Sequence, residues 1–78
     1  MPLTLYLNIY ASGSVPDGWK PVRAGAIKYV VSNPMVLKHL RSLRSGRWQK
    51  VIKRGTHGDV HYFEHASGHV AGVKYFQR

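Results

Sequence analysis

The stretch that decides the fold is WQKVIKRGTHGDVHYFEHASGHVAGVKYF, residues 48–76. Three runs within it, Trp48 to Arg54, Val60 to His65 and Val70 to Phe76, are rich in β-branched and aromatic residues. Between them lie Thr56-His57-Gly58-Asp59 and Ala66-Ser67-Gly68-His69, clusters whose glycines and small polar residues favour tight hairpin turns. The pattern predicts a three-stranded antiparallel meander. Immediately upstream, Ser32-Asn33-Pro34 marks a helix start, with Pro34 in the first turn and Asn33 or Ser32 as cap. Val36, Leu37, Leu40 and Leu43 follow at helical spacing, opposite Lys38, Arg41, Ser42 and Arg44, so an amphipathic helix is expected over about 34 to 44, ended by Gly46.

Further out, Leu3, Leu5, Leu7 and Ile9 alternate with Thr4, Tyr6, Asn8 and Tyr10, which predicts a half-buried strand over 3–10. Ser12-Gly13-Ser14 and Pro16-Asp17-Gly18 read as loop and turn, and Ala26 to Val31 as a second strand. The expected class is α+β: one amphipathic helix packed on a small antiparallel sheet, made of the C-terminal meander with an N-terminal strand added. Residues 1–78 are expected to form a single domain.

With 44% hydrophobic and 12% aromatic residues, the chain is no disordered tail. It contains no cysteine, which excludes disulfides and thiolate metal sites. No apolar run approaches a membrane span, and Met1-Pro2-Leu3-Thr4 lacks the basic flank of a signal peptide. Twelve Lys and Arg against three acids give a formal charge of +9. Such self-repulsion strains a small fold and points to a polyanionic partner, nucleic acid rather than a membrane surface.

His57, His61, His65 and His69 recur every fourth residue. Interleaved glycines and strand formers exclude a helix, and in a strand His61 and His65 stand roughly 13 Å apart, too far to share one ion. No metal or cofactor is expected. With two-residue turns at His57-Gly58 and Ser67-Gly68, Arg54 faces His61, Ile52 faces Phe63, Lys50 faces His65, His61 faces Lys74 and His65 faces Val70. One sheet face then carries Lys50, Arg54, His61, His65 and Lys74 around Phe63 and Trp48. The other face, Val51, Val60, Tyr62, Ala71, Val73 and Tyr75, suits packing under Leu37, Leu40 and Leu43. Imidazoles among cations and an aromatic ring fit metal-independent RNA cleavage, in which one group takes the 2′-hydroxyl proton and another protonates the leaving 5′-oxygen. Lys38, Arg41, Arg44, Arg47, Lys50 and Lys53 recur every third residue and read as phosphate contacts wrapping an edge. Trp19, Trp48, Tyr62 and Phe63 are candidates for stacking on bases.

Asn33-Pro34, Trp48, Lys50-Val51, Gly55, Val60-His61-Tyr62-Phe63, Ser67-Gly68-His69-Val70 and Val73-Lys74 resemble the C-terminal ribonuclease domains of bacterial polymorphic toxins, which include contact-dependent-inhibition effectors and related bacteriocins. That resemblance covers a little over half the chain. It implies a barnase/colicin-like fold and a metal-free endoribonuclease with His61 catalytic, supported by Arg54, His65 and Lys74. It further implies action on tRNA or other RNA in the bacterial cytoplasm, after delivery as the C-terminal part of a secreted effector. A shorter segment, Gly46-Arg47-Trp48 with Val51, Arg54 and Gly55-Thr56-His57, is similar to HicA-type mRNA interferases and implies His57 as the catalytic histidine. Either way the expected partner is RNA, together with an acidic immunity or antitoxin protein matched to the +9 charge. The alternative from a different class is a non-catalytic RNA- or DNA-binding protein that uses the same basic sheet.

Overall fold

Asn33 starts the helix as its spacing predicts. In the computed structural model, which describes residues 3–78 apart from the Arg23 side chain, its Oδ1 accepts from the Met35 and Val36 amides at 2.9 and 3.4 Å. The helix, α1, runs Pro34–Leu43. It stops because Arg44 turns extended, its amide still bonded to the Leu40 carbonyl; the ending thus precedes Gly46. Ten residues are too few to hold helical structure alone in water. Burial of Leu40, with Val36, Leu37 and Leu43 beside it, against Val31, Trp48, Ala71 and Phe63 supplies the rest.

The strands are β1 (Leu5–Tyr6), β2 (Pro21–Val30), β3 (Trp48–Gly55), β4 (Gly58–His65) and β5 (Val70–Gln77), in one sheet of order β1-β5-β4-β3-β2. All pairings are antiparallel. The α+β class and the C-terminal meander stand. The N-terminal strand is shorter than the alternation suggests, since the chain leaves the sheet after Tyr6 and makes a 3-10 turn at Tyr10–Ser12. The second strand is longer, starting at Pro21.

Two registers differ from expectation. The first hairpin turns on Thr56-His57, with Gly55 and Gly58 ending its strands, so Arg54 faces Asp59, Ile52 faces His61, Lys50 faces Phe63 and Trp48 faces His65. The slip is two residues, so the side chains of β3 and β4 keep their predicted faces. Along β5, His61 does face Lys74, but an irregularity before Phe63 brings Glu64, not His65, opposite Val70, and turns Ala71, expected beside Val51 and Val60, to the Trp48 face.

The helix sits on the opposite side from that expected. It covers the Trp48 face at one end of the sheet, while Val51, Val60, Tyr62 and Val70 pack under Ile9 and Trp19 from the N-terminal segment. Trp19 explains the exchange. Its indole lies across Gly55, where any Cβ would collide with the ring, and its Nε1–H donates to the Gly58 carbonyl at 3.0 Å. A large aromatic delivered by the Pro16-Asp17-Gly18 turn therefore roofs this face, and α1 takes the other. No helix among the described residues is long and apolar enough to cross a membrane.

Burial of Tyr62, then the charge of Glu64 and of Tyr10, pushes its phenol up to about 12 from an ordinary value of 10.0. The unfolded chain releases this proton first. The contribution to stability is therefore complete below pH 10, falls as the pH rises and is lost through pH 12. Its size is on the order of 2–3 kcal/mol. Urea unfolding of the parent and of Tyr62→Phe between neutrality and pH 12 checks this: the parent should lose more stability at the alkaline end, and parallel curves would sink the assignment.

Candidate nucleic-acid interface

Because α1 packs against Val31, Trp48, Phe63 and Ala71, it covers only the sheet end to which those residues belong. Beyond it the same face stays open, carrying Ile27 and Tyr29 from β2, Lys50, Ile52 and Arg54 from β3, Asp59, His61 and Phe63 from β4, and Lys74 and Phe76 from β5. Lys50, His61, Phe63, Gly72, Lys74 and Phe76 line one recess there, of about 180 Å³. A second recess shares Lys50 and Phe63 and runs to Asn33 and Val36, so a continuous groove leads from the helix start to Phe76. Asn33 already occupies the first free amides of α1, which leaves charge recognition in this groove to side chains.

His61 is the centre of the groove. It faces Lys74 directly across the β4–β5 pair, its ring 4.5 Å from that of Phe76 and tilted by 57°. Arg54 lies diagonally across from it on β3, a neighbour at about 7–8 Å in such a pair. The carboxylate of Asp59, on the same face, is engaged by Arg78 at 3.6 Å.

The other expected site residues divide sharply. His65 shares this face by register but is only 8% exposed. Its Nδ1 accepts from the Ser67 amide at 2.9 Å, and its Nε2–H donates to the Ser45 carbonyl at 2.7 Å. Ser67 Oγ lies 2.8 Å from Nδ1 of both His65 and His69. His65 thus ties the helix-to-β3 loop to the β4–β5 turn. A Cβ at Gly46, where φ is +125°, would come within 2.6 Å of its Nε2. These bonds hold the ring out of the groove.

His57 is exposed in the first hairpin turn and lines a different recess with Trp19 and Tyr75. Trp48 is core, 4% exposed, its Nε1–H donating to the Arg44 carbonyl at 2.9 Å; Trp19 and Tyr62 are buried likewise. None of these three can stack on a base. Lys53, opposite Val60, projects from the face roofed by Trp19, away from Lys50 and Arg54. Lys38, Arg41, Arg44 and Arg47 are exposed around α1 and its exit loop, and Arg41 Nε donates to the Gly46 carbonyl at 3.3 Å. Among the described residues no three His, Cys, Asp or Glu side chains gather to hold a metal ion.

Phe76 and Tyr29 are the aromatic members of this face that the sequence reading missed. Phe76 was within reach, because it lies two residues beyond Lys74, whose pairing with His61 fixes the face of both. Comparison with family models, with curated proteins and with solved structures finds no match to this chain.

The two histidines should separate in a stability measurement. His65→Ala loses its part-buried hydrogen bonds to Ser45 and Ser67 and leaves a cavity, for a cost of about 2–4 kcal/mol. His61→Ala loses only its contact with Phe76, less than about 1.5 kcal/mol. Urea unfolding of both variants decides, and a reversed order would show that the histidines are sorted wrongly.

Proposed function

We propose that this chain binds single-stranded RNA across the open half of its helix-side sheet face and cleaves it without a metal ion, with His61 as the general base. The observation that carries this reading is the His61–Lys74 cross-strand pair, set in a recess walled by Phe63 and Phe76 with Lys50 at its rim. Aromatic walls offer stacking to bases of any identity, and lysines and arginine beside them neutralise phosphates. RNA supplies the nucleophile that DNA lacks. His61 takes the 2′-hydroxyl proton, the 2′-oxygen attacks phosphorus and the bond to the 5′-oxygen breaks. That oxygen receives a proton from the Lys74 ammonium or from water. Lys74 and Arg54 stabilise the charge that builds on the phosphorane. The products are a 2′,3′-cyclic phosphate and a free 5′-hydroxyl. In this reading the resemblance to polymorphic-toxin ribonucleases supports a target among tRNA or other cytoplasmic RNA of bacteria.

A second reading, binding without catalysis, is favoured by one specific observation. His65, the other imidazole expected on the face, is withdrawn into the β4–β5 turn, so the recess has a single imidazole.

The experiment uses the purified chain, a single-stranded RNA oligonucleotide and excess chelator. Cleavage should yield cyclic-phosphate ends and should fail on the 2′-O-methyl analogue. His61→Ala should slow it by about 100-fold or more while binding persists. His57→Ala should cleave nearly as the parent does. Log affinity should fall with log salt by about 0.7 per phosphate contact. Salt-dependent binding with no cleavage by the parent establishes the second reading. Full activity in His61→Ala, or loss in His57→Ala, moves the chemistry off this face, and a flat salt response removes nucleic acid altogether.

A further inference from the structure

Among the described residues β2 pairs only with β3, which leaves its outer edge open. Native sheets protect such edges with proline, irregular pairing, charge or a cover. Here the protection is confined to the start of the strand, where Pro21 precedes a break in register that lasts until Ala26. From Ala26 to Val30 the pairing with β3 is regular, and this stretch has one charge, Lys28, already 3.5 Å from Glu64. Ile27, Tyr29 and Val30 are all exposed, Val30 by 80%. At the opposite edge, β1 already pairs with β5 at Val70 and Ala71.

A regular, apolar, unpaired edge is a template for another strand. A second copy of this chain is a poor occupant, because it brings another +9 and a symmetric pairing about the middle of the stretch sets Lys28 against Lys28, like charges directly opposed. The surroundings select for acid. Past Val30 the edge runs into a cleft lined by Leu37 and Trp48 with Arg41 and Arg47 beside them. Two of the three acids of the chain, Asp59 and Glu64, are engaged by Arg78 and Lys28, so little negative charge is left to repel an anion.

We infer that the free edge of β2 is a docking site for an extended strand of an acidic protein, which adds to the sheet beside Ala26–Val30 and sets carboxylates against Arg41 and Arg47. This edge adjoins the helix end of the groove at Val30, but it is read through backbone pairing and does not depend on RNA chemistry at His61.

The probe is a capped peptide as long as β2 that alternates Glu with Val and Thr, with a Lys-for-Glu counterpart. Residue-resolved amide exchange and amide shifts are read on the whole chain. The acidic peptide should slow exchange and shift amides within 26–30, and the basic counterpart should do neither. Arg47→Glu and Val30→Glu, both at exposed positions, should weaken the acidic peptide about tenfold or more with melting unchanged. His61→Ala, which alters the groove and leaves the β2 edge intact, should bind the acidic peptide as the parent does. Absence of protection at 26–30, or equal protection by both peptides, overturns the proposal. So does a concentration-dependent dimer of the chain alone that protects the same amides, because the occupant is then a second copy. Protection of 26–30 by RNA in place of the peptide reassigns the edge to the nucleic-acid surface.

Discussion

The indole of Trp48 fixes where the helix can sit. Its N–H reaches the Arg44 carbonyl just past the end of α1, and its ring meets His65 edge-on at 5.1 Å. Leu40, fully buried, packs in the same cluster. A ten-residue helix held at that point spans about 15 Å, whereas the eight-residue strands beneath it extend roughly 26 Å. The cover is therefore too short for the face. The groove with His61, Lys50 and Lys74 is what this mismatch leaves uncovered, so the anchor that completes the core also creates the candidate site.

The other face is closed by different means. Strand, turn and loop from Leu3 to Trp19 bring Ile9 and then Trp19 onto Val51, Val60 and Tyr62, and Gly55 keeps the space in which the Trp19 ring lies flat. A chain of this size buries only about 60% of its unfolded surface, so large aromatics carry much of the load. The cationic surface works against that margin. An anionic partner bound to the native state relieves the repulsion and stabilises the fold by mass action.

Much of this was legible. The cap at Asn33, the three C-terminal strands and the His61–Lys74 pairing follow from turn residues and period-two patterning. The faces of β3 and β4 survived a wrong turn assignment because the error was an even number of residues, whereas the irregularity along β5 turned Ala71 to the other face. What failed shares a cause. Alternation at 3–10 marks burial on one side, but Ile9 reaches the core from a 3-10 turn as readily as from a strand. Trp19 stands among Asp, Gly and Lys, and nothing local says that its ring crosses to Gly55. Deciding which cover takes which face needs long-range packing, which periodicity does not encode. His65 and Trp48 were placed on the right face, yet the helix covers that end of it, and only tertiary structure separates a covered strand end from an open one.

For function, the face offers aromatic walls, cations and one imidazole within a single groove, the combination suited to single-stranded RNA. The most direct test of this account is a titration of isotopically labelled chain with a single-stranded RNA oligonucleotide, followed by amide and side-chain shifts. The account predicts perturbations concentrated at Lys50, Arg54, His61, Phe63, Lys74 and Phe76, with Val60, Tyr75 and the Trp19 indole unmoved. Perturbations centred on Lys53, His57 and the Trp19 roof, or none at all, would contradict it.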